Sequence, residues 1–169
     1  VAADEAIRIV VLASTGKVFS AGHDLKEMTA RRDDGDGGRA FFEKTMRMAA
    51  DIMLKIAALP QPVVAVVHGP AFGSGCEIAG ACDFVLASSE AVFCYPEVGW
   101  GTVGATQRLP RIAGPRKAKE LLFTGRRFDA AEAREIGLVN HVYAPDALRQ
   151  EALAMAAAMA RAQPLTMRL

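Results

Sequence analysis

The sequence is poor in cysteine, and this excludes two classes of protein. Its 169 residues include only three cysteines, Cys76, Cys82 and Cys94. Their number is odd and no pair has C-x-x-C spacing, so neither a disulfide framework nor a cysteine zinc site is expected. We interpret all three as reduced packing residues, because free cysteines are usually buried.

The chain also has almost no net charge and no long apolar run. Lys and Arg number 20 against 19 Asp and Glu, so no overall basic field favours nucleic acid or an anionic membrane surface. No apolar run approaches the ~20 residues of a transmembrane helix, and the first residues lack the layout of a signal peptide. We expect a soluble, cytoplasmic protein, with the mitochondrial matrix as the alternative in a eukaryote.

Three familiar chemical motifs are missing. The three histidines have no H-E-x-x-H-like spacing, so a metal site is not expected. The segment G-S-G-C-E-I lacks the third glycine of a dinucleotide-binding turn, and Ser74 does not lie in a G-x-S-x-G sequence. A bound nicotinamide cofactor and a serine nucleophile are therefore disfavoured.

The apolar residues that are present predict an α/β domain. Apolar, strand-like runs occupy residues 7–13, 63–67, 84–87 and 91–94, and the first is continuous enough to predict a strand buried on both faces. Strands with this nearly continuous apolar composition favour parallel pairing. We therefore expect one globular domain with a parallel sheet.

The segments between and after these runs have either the apolar spacing of a helix or the polar composition of a loop. Apolar residues recur every three or four positions over 41–58, which predicts a crossover helix. Residues 29–39 are polar and Gly-rich, and we expect a mobile surface loop or lid there. Further helices are predicted over 116–122, over 130–136 after Asp129 as N-cap, and from Asp146 as N-cap to 162.

Two turns of similar composition are the most informative feature. The segments V-F-S-A-G-H-D-L-K-E-M and V-V-H-G-P-A-F-G-S-G-C-E-I-A-G each place a glycine-bearing turn after an apolar run. Each turn can aim a backbone N–H at a ligand oxygen, and Glu77 follows the second turn directly. Two such donors beside a carboxylate suggest acyl or enolate chemistry.

Together with Y-P-E-V-G and T-Q-R-L-P-R-I-A-G, these motifs resemble the crotonase, or enoyl-CoA hydratase/isomerase, family. The resemblance implies an α/β fold, a spiral of repeated β-β-α units with parallel strands and C-terminal helices. Residues 1–169 would form a single such domain. Family members are usually longer, so N-terminal strands and C-terminal helices are expected to be missing. The implied ligand is an acyl-CoA thioester, with no separate cofactor, and the implied assembly is a homotrimer or homohexamer.

The resemblance assigns roles to four residues. The oxyanion hole would be formed by the backbone N–H groups of His23 and Ser74, the latter at the start of a helix whose dipole favours negative charge. Glu77 and Glu97 would hold a water between them, one activating it and the other delivering the α-proton. Adding water to an enoyl thioester needs a base, an acid and charge relief at the carbonyl, and these residues supply all three.

The resemblance also implies positions that contact the substrate. The segment from Asp24 to Lys26 would lie near the adenine and pantetheine of CoA, and Lys26 is either a phosphate contact or a solvated charge. The stretch V-G-W-G-T-V-G-A after Glu97 is shorter than in relatives, which leaves the acyl chain open. The full set of expected substrate contacts is Ala21, Gly22, His23, Asp24, Leu25, Phe72, Gly73, Ser74, Pro96, Thr102 and Gly104.

Alternatives remain at this point. Glu77 alone would suit a salt-bridged structural carboxylate, and Glu97 alone a solvated loop residue, so their distance in the folded chain decides. Within the family, an isomerase that moves the double bond could need a single glutamate. Outside catalysis, the chain could be a silent acyl-CoA-binding or assembly subunit. Met46, Met48 and Met53 are interpreted as core or subunit-interface residues.

Overall fold

The computed structural model describes residues 1–163 and residue 166. The strands within these residues are β1 (Val10–Ala13), β2 (Val63–Val67), β3 (Ala71–Phe72), β4 (Phe84–Ser88), β5 (Val92–Cys94), β6 (Arg127–Asp129) and β7 (His141–Tyr143). The helices are α1 (Leu25–Ala30), α2 (Arg39–Ala57), α3 (Ser74–Ala81), α4 (Glu97–Trp100), α5 (Arg108–Thr124), α6 (Ala130–Glu135) and α7 (Leu148–Met159).

The strands form two sheets that share a repeating unit. A parallel sheet has the order β1-β2-β4-β7, and a smaller sheet has the order β3-β5-β6. In two successive units, β2-β3-α3 and β4-β5-α4, the first strand joins the large sheet and the second joins the small one. The chain therefore advances by β-β-α units, as the family resemblance implies.

The core lies around β2, whose five residues are all buried. This strand pairs with β1 on one side and β4 on the other, so its continuous apolar sequence suits burial on both faces. One apolar cluster joins these strands to α3 and α5, and a second packs α7 against the opposite face. The two glycine-bearing turns follow Phe19 and Ala71, which belong to the first of these clusters.

The first strand differs from the prediction. We expected 7–13 to be a strand buried on both faces, but β1 covers only Val10–Ala13 and alternates between half-buried and exposed, with Val11 37% exposed. The reason is its position, because β1 is the edge strand of its sheet and has one neighbour. The local sequence carries no signal that distinguishes an edge from a centre.

The expectation of parallel strands holds in the large sheet only. β5 pairs in parallel with β3 but antiparallel with β6. Three short strands, β3, β6 and β7, were not predicted, because runs of two or three residues give too few positions to show a period. They are defined by pairing partners distant in the chain.

The predicted start of a helix is correct where a nearby side chain caps it. Asp129 caps α6 by accepting a hydrogen bond from Glu132 N–H at 2.8 Å, as predicted. Asp146 does not cap α7, so that prediction is wrong: the helix begins at Leu148, whose N–H bonds to the backbone carbonyl of Ala144 at 3.1 Å. It also ends at Met159, short of residue 162. A backbone turn takes the place of the expected side-chain cap.

Two further helical segments differ in extent from their predictions. The crossover helix α2 spans Arg39–Ala57, two residues earlier at its start than predicted, while α5 begins at Arg108 rather than at residue 116. A break at Gly114, with φ 76°, precedes Pro115 inside α5 and separates the predicted half from the earlier one. The predicted loop 29–39 contains the end of α1, turns over 31–38 that are exposed except at Gly38, and the first residue of α2.

The cysteines pack as expected. Cys76 and Cys94 are buried and Cys82 is half-buried, and all three are free. Burial raises the pKa of each thiol, that of Cys82 to about 12, so they are neutral near pH 7. Over the described part of the chain, no helix is long and apolar enough to cross a membrane.

Candidate active site

The two glycine-bearing turns lie side by side. Ser20 forms a parallel bridge with Ala71, and Phe72 N–H donates to the carbonyl of Ser20 at 2.9 Å. Because both segments run in the same direction, the turns that follow them emerge at the same edge. The two motifs, which are about fifty residues apart in the chain, are thus neighbours in space.

Gly22 permits this close approach. Its φ is +86°, and a methyl group built on it would lie 2.9 Å from the carbonyl oxygen of Phe72 and 3.3 Å from the backbone nitrogen of Ser74. Both the backbone conformation and the lack of space therefore require glycine. The residue that follows, His23, lies beside the start of α3.

The start of α3 presents free backbone donors. The first hydrogen bond that closes the helix runs from Glu77 N–H to the carbonyl of Gly73 at 3.2 Å, so the N–H groups of Ser74, Gly75 and Cys76 precede it. Over the described residues, neither Ser74 N–H nor His23 N–H has an acceptor. Two unpaired donors of adjoining turns can bind one oxyanion.

The side chains of the same two residues are in contact. Ser74 Oγ lies 2.9 Å from Nδ1 of His23, and both residues are half-buried. Fifty-one positions separate them in the sequence, so no local motif predicts this hydrogen bond. It couples the two turns through their side chains as well as their backbones.

Glu77 and Glu97 are also brought together. Glu77 lies one helical turn beyond Ser74, and Glu97 is the first residue of α4, after β5 and Pro96. A methyl group built on Gly104 would lie 2.8 Å from Oε1 of Glu77 and 3.0 Å from Oε1 of Glu97. The two oxygens are therefore at most 5.8 Å apart, the sum of these distances. One small molecule can hydrogen-bond to both.

The environments of the two carboxyl groups differ. Burial, followed by the neighbouring charge of Glu77, raises the pKa of Glu97 above its ordinary value of 4.5, although a hydrogen bond that the carboxylate accepts from its own backbone N–H opposes this. Its Oε2 atom is buried and has no hydrogen-bond partner in the described residues. Glu77, in contrast, accepts a hydrogen bond from the backbone N–H of Ala105. The raised pKa makes proton binding by Glu97 more favourable than it is for an ordinary glutamate.

The short stretch after Glu97 forms a compact turn over both carboxylates. Thr102 N–H donates to the carbonyl of Glu97 at 3.1 Å, and Gly101 ends α4 in the left-handed conformation. Ala105 has φ +53°, the only positive value at a non-glycine residue within the described residues, and this typically costs about 1–2 kcal/mol. Its hydrogen bond to Glu77 compensates for this strain.

A cavity of about 950 Å³ opens onto these groups. It contains the four residues expected to be catalytic and most of the expected substrate contacts. The predicted positions on its wall are Ala21, Gly22, His23, Leu25, Gly73, Ser74, Glu77, Pro96, Glu97, Thr102 and Gly104.

Two of the expected substrate contacts are not on the cavity wall. The side chain of Asp24 caps α1 by accepting from Lys26 N–H at 2.8 Å and Glu27 N–H at 3.2 Å. The ring of Phe72 instead lies under the guanidinium of Arg127, 5.3 Å from its centre. Lys26 is exposed and also outside the lining. A capping role and a cation–π contact explain the first two residues.

The sequence analysis missed part of the wall. Met46 and Met53, interpreted as packing residues, line the cavity, whereas Met48 is 56% exposed. Trp100 and Arg108 also contribute to the lining. The helical period of α2 shows which residues share a face but not that this face borders a cavity. Of Met46, Met53, Trp100 and Arg108, only Arg108 lies inside one of the motifs that carry the resemblance.

Two adjoining backbone donors beside a pair of close carboxyl groups define a site for acid–base chemistry next to a carbonyl group. The family model described as enoyl-CoA hydratase/isomerase matches residues 1–169, and the chain belongs to that family. The chain is 40% identical over 176 residues to the crotonyl-CoA hydratase of Syntrophomonas wolfei, covering 98% of the chain and 63% of that protein.

Other relatives and solved structures agree. The chain is 42% identical over 174 residues to the mouse mitochondrial enoyl-CoA hydratase domain-containing protein 2, covering 98% of the chain and 57% of that protein. A crystal structure of an enoyl-CoA hydratase from Mycobacterium smegmatis superimposes with a TM-score of 0.90 at 39% identity, covering 99% of the chain and 64% of that structure. The predicted crotonase fold is confirmed. The chain spans less than two thirds of the length of these proteins.

Proposed function

We propose that this chain adds water across the double bond of a 2-enoyl-CoA thioester. The observation that carries the proposal is the approach of Glu77 and Glu97, whose Oε1 atoms lie at most 5.8 Å apart. A water that bridges two carboxyl oxygens needs a separation of about 6 Å or less, twice an ordinary hydrogen-bond length. The free N–H groups of His23 and Ser74 beside them add support.

In this mechanism the thioester oxygen accepts hydrogen bonds from the N–H groups of His23 and Ser74. Negative charge grows on this oxygen as water adds at Cβ, and the positive end of the α3 dipole stabilises the charge further. Loss of one such donor typically raises a barrier by about 2.7–4 kcal/mol. Binding is then stronger in the transition state than in the ground state.

The two carboxyl groups would take different roles. Glu77, which accepts the Ala105 N–H, is the base that withdraws a proton from the bridging water. Glu97, whose pKa is raised by burial, is the acid that delivers a proton to Cα. The difference between their environments supports this division, because efficient proton transfer needs one protonated and one ionised partner.

The hydration of crotonyl-CoA, followed by loss of the enoyl absorbance, tests the proposal. Glu77→Gln and Glu97→Gln should each lower the rate by about 10²–10⁴-fold while the protein still binds the CoA ester. Glu90→Gln is the matched control, since Glu90 is exposed and outside the cavity lining. Full activity in either cavity variant would refute the mechanism. Binding without any turnover by the parent chain would favour the silent acyl-CoA-binding subunit.

A second candidate is isomerisation of an enoyl-CoA double bond. It is favoured by the narrow space between the two carboxylates, where a methyl group built on Gly104 would lie 2.8 Å from Oε1 of Glu77 and 3.0 Å from Oε1 of Glu97, so the room for a water is limited. An isomerase needs only proton removal and return, and one glutamate can perform both. Product analysis with 2-enoyl and 3-enoyl thioesters distinguishes the two reactions, because only hydration yields a 3-hydroxyacyl product from the 2-enoyl substrate.

We also propose that the chain assembles as a homotrimer or homohexamer. Large apolar side chains are exposed on several helices, including Phe123 at 71%, Leu54 at 65% and Leu153 at 52%. Apolar surface of this kind is commonly covered by another subunit. Light scattering during size exclusion measures the molar mass directly, and a monomer at all concentrations would refute the proposal.

A further inference from the structure

Ser74 and His23 form a pair whose side chains the hydration mechanism does not use. That mechanism employs only their backbone N–H groups, yet Ser74 Oγ lies 2.9 Å from Nδ1 of His23. Both residues line the cavity. A hydroxyl at hydrogen-bonding distance from an imidazole nitrogen is the arrangement that activates serine for nucleophilic attack.

The absence of a G-x-S-x-G sequence around Ser74 argues against one type of serine nucleophile only. That motif describes a serine on a strand-to-helix turn of a particular fold, and it carries no information about a base from elsewhere. Here the base comes from a turn 51 residues earlier, placed beside α3 by the close contact at Gly22. The fold therefore brings His23 to Ser74, although the two residues are far apart in the sequence.

The backbone around the pair suits attack on a carbonyl carbon. Within the residues that the structure describes, neither Ser74 N–H at the start of α3 nor His23 N–H on the adjoining turn has an acceptor. In chymotrypsin-type serine proteases the N–H of the nucleophilic serine itself is one donor to the oxyanion. Ser74 likewise carries both a hydroxyl and a backbone N–H at the site. A thioester whose carbonyl oxygen is bound at the donors would therefore have its carbonyl carbon near Oγ.

We propose that the Ser74–His23 pair hydrolyses acyl-CoA thioesters to the carboxylic acid and free CoA thiol. The inference rests on the acyl-CoA substrate class of the proposed function but not on hydration itself. Ser74 Oγ attacks the carbonyl carbon while its proton passes to Nδ1 of His23. The C–S bond then breaks, and the imidazolium returns the proton to the leaving thiolate, giving an acyl-serine.

Water completes the reaction. His23 takes a proton from a water molecule as it attacks the acyl-serine carbonyl, and the proton returns to Ser74 Oγ when the ester bond breaks. The net change is consumption of one water and one thioester, with release of one carboxylic acid and one thiol. No other co-reactant is needed, and Glu77 and Glu97 take no part.

Butyryl-CoA tests the inference, because a saturated acyl chain cannot be hydrated. Wild-type protein should release free thiol from it, detected with a thiol-reactive chromophore. Ser74→Ala and His23→Gln should each lower this release by about 10²–10⁴-fold. Ser14→Ala and His68→Gln make the same chemical changes outside the cavity lining and should match wild type. Thermal melting verifies that every variant is folded.

Each outcome has a definite meaning. Thiol release that disappears in both cavity variants, together with a butyryl group found by mass spectrometry on the Ser74 peptide, supports the inference. Release that persists in Ser74→Ala, release that disappears in Glu77→Gln instead, or no release by wild type overturns it. Hydration of crotonyl-CoA in a parallel assay reports separately on the proposed function, so either activity can fail without the other.

Discussion

Ala105 donates its backbone N–H to Oε1 of Glu77, across 28 positions of sequence. The bond places the turn after α4 against the carboxylate of α3, and a methyl group on the preceding residue, Gly104, would meet both Glu77 and Glu97. The spacing of the two carboxyl groups therefore depends on the backbone of this turn. Changes to the turn should alter chemistry more than stability.

Gly104→Ala should sharply reduce turnover. The added methyl would lie 2.8 Å from Oε1 of Glu77 and 3.0 Å from Oε1 of Glu97, closer than Cβ atoms normally approach other atoms, so a carboxylate must move. A displacement of about 1 Å at a reacting group can cost about 10²-fold in rate. The measurement is kcat on crotonyl-CoA, with thermal melting to verify folding.

Gly99→Ala is the matched control for this change. Gly99 lies in α4, and a methyl built on it meets nothing within 4 Å. The control should retain full activity, and a normal rate in Gly104→Ala would show that the turn does not fix the carboxyl groups.

Gly22→Ala should destabilise the protein and weaken catalysis together. The substitution forces alanine into φ +86° and places its methyl 2.9 Å from the carbonyl oxygen of Phe72. Strain of this kind typically costs about 1–3 kcal/mol. Urea unfolding measures the free-energy change, and enoyl-CoA turnover reports the loss of alignment between the His23 and Ser74 donors.

Gly16→Ala provides the comparison in the same N-terminal segment. A methyl there would make only ordinary contacts, 3.8 Å from Ser14 Oγ and 3.9 Å from the carbonyl of Val18. Its unfolding free energy should stay much nearer to that of the wild type. Equal effects of the two substitutions would contradict the account of Gly22.

The buried Glu97 carboxyl group should lower stability at neutral pH. Its pKa is raised in the folded state by burial and then by Glu77, so the folded protein binds its proton more tightly than the unfolded chain does. This contribution is favourable below the ordinary value of 4.5 and is lost as the pH rises through the folded-state pKa. Glu97→Gln, which cannot ionise, should therefore melt at a higher temperature than wild type at pH 8.

Melting temperatures at pH 5 and pH 8 provide the test. The advantage of Glu97→Gln over wild type should be larger at pH 8 than at pH 5, and Glu90→Gln, at an exposed position, is the control for the loss of one carboxylate. A variant that is less stable than wild type at pH 8 would contradict the raised pKa. The same variant should lose activity, which separates stability from function.

Sequence reasoning identified the parts of this site that lie within short motifs. Gly22 closely follows the bridge residue Ser20, and Ser74 and Glu77 closely follow β3, so the turn and the helix start are local properties. The Ser74–His23 hydrogen bond is not local, since its partners come from two units of the fold. Likewise, Met46 and Met53 border the cavity only because α2 packs across α3.

The same distinction between local and long-range contacts explains which fold predictions were correct and which were wrong. Asp129 was predicted as a cap because its bond spans three residues, whereas the start of α7 depends on a backbone turn at Ala144. The burial of β2 follows from its composition, but the exposure of β1 depends on the strand order. The antiparallel pairing of β5 with β6 joins residues more than thirty positions apart, beyond the range of any local pattern.

A double-mutant comparison of Glu77 and Glu97 tests the central claim most directly. The hydration rate of crotonyl-CoA is measured for wild type, Glu77→Gln, Glu97→Gln and the double variant, all with verified folding and CoA-ester binding. If the two carboxyl groups act on one water, each single change removes most of the catalysis and the double variant is little slower than either single variant. Independent, multiplicative losses, or an active single variant, would contradict the shared-water account.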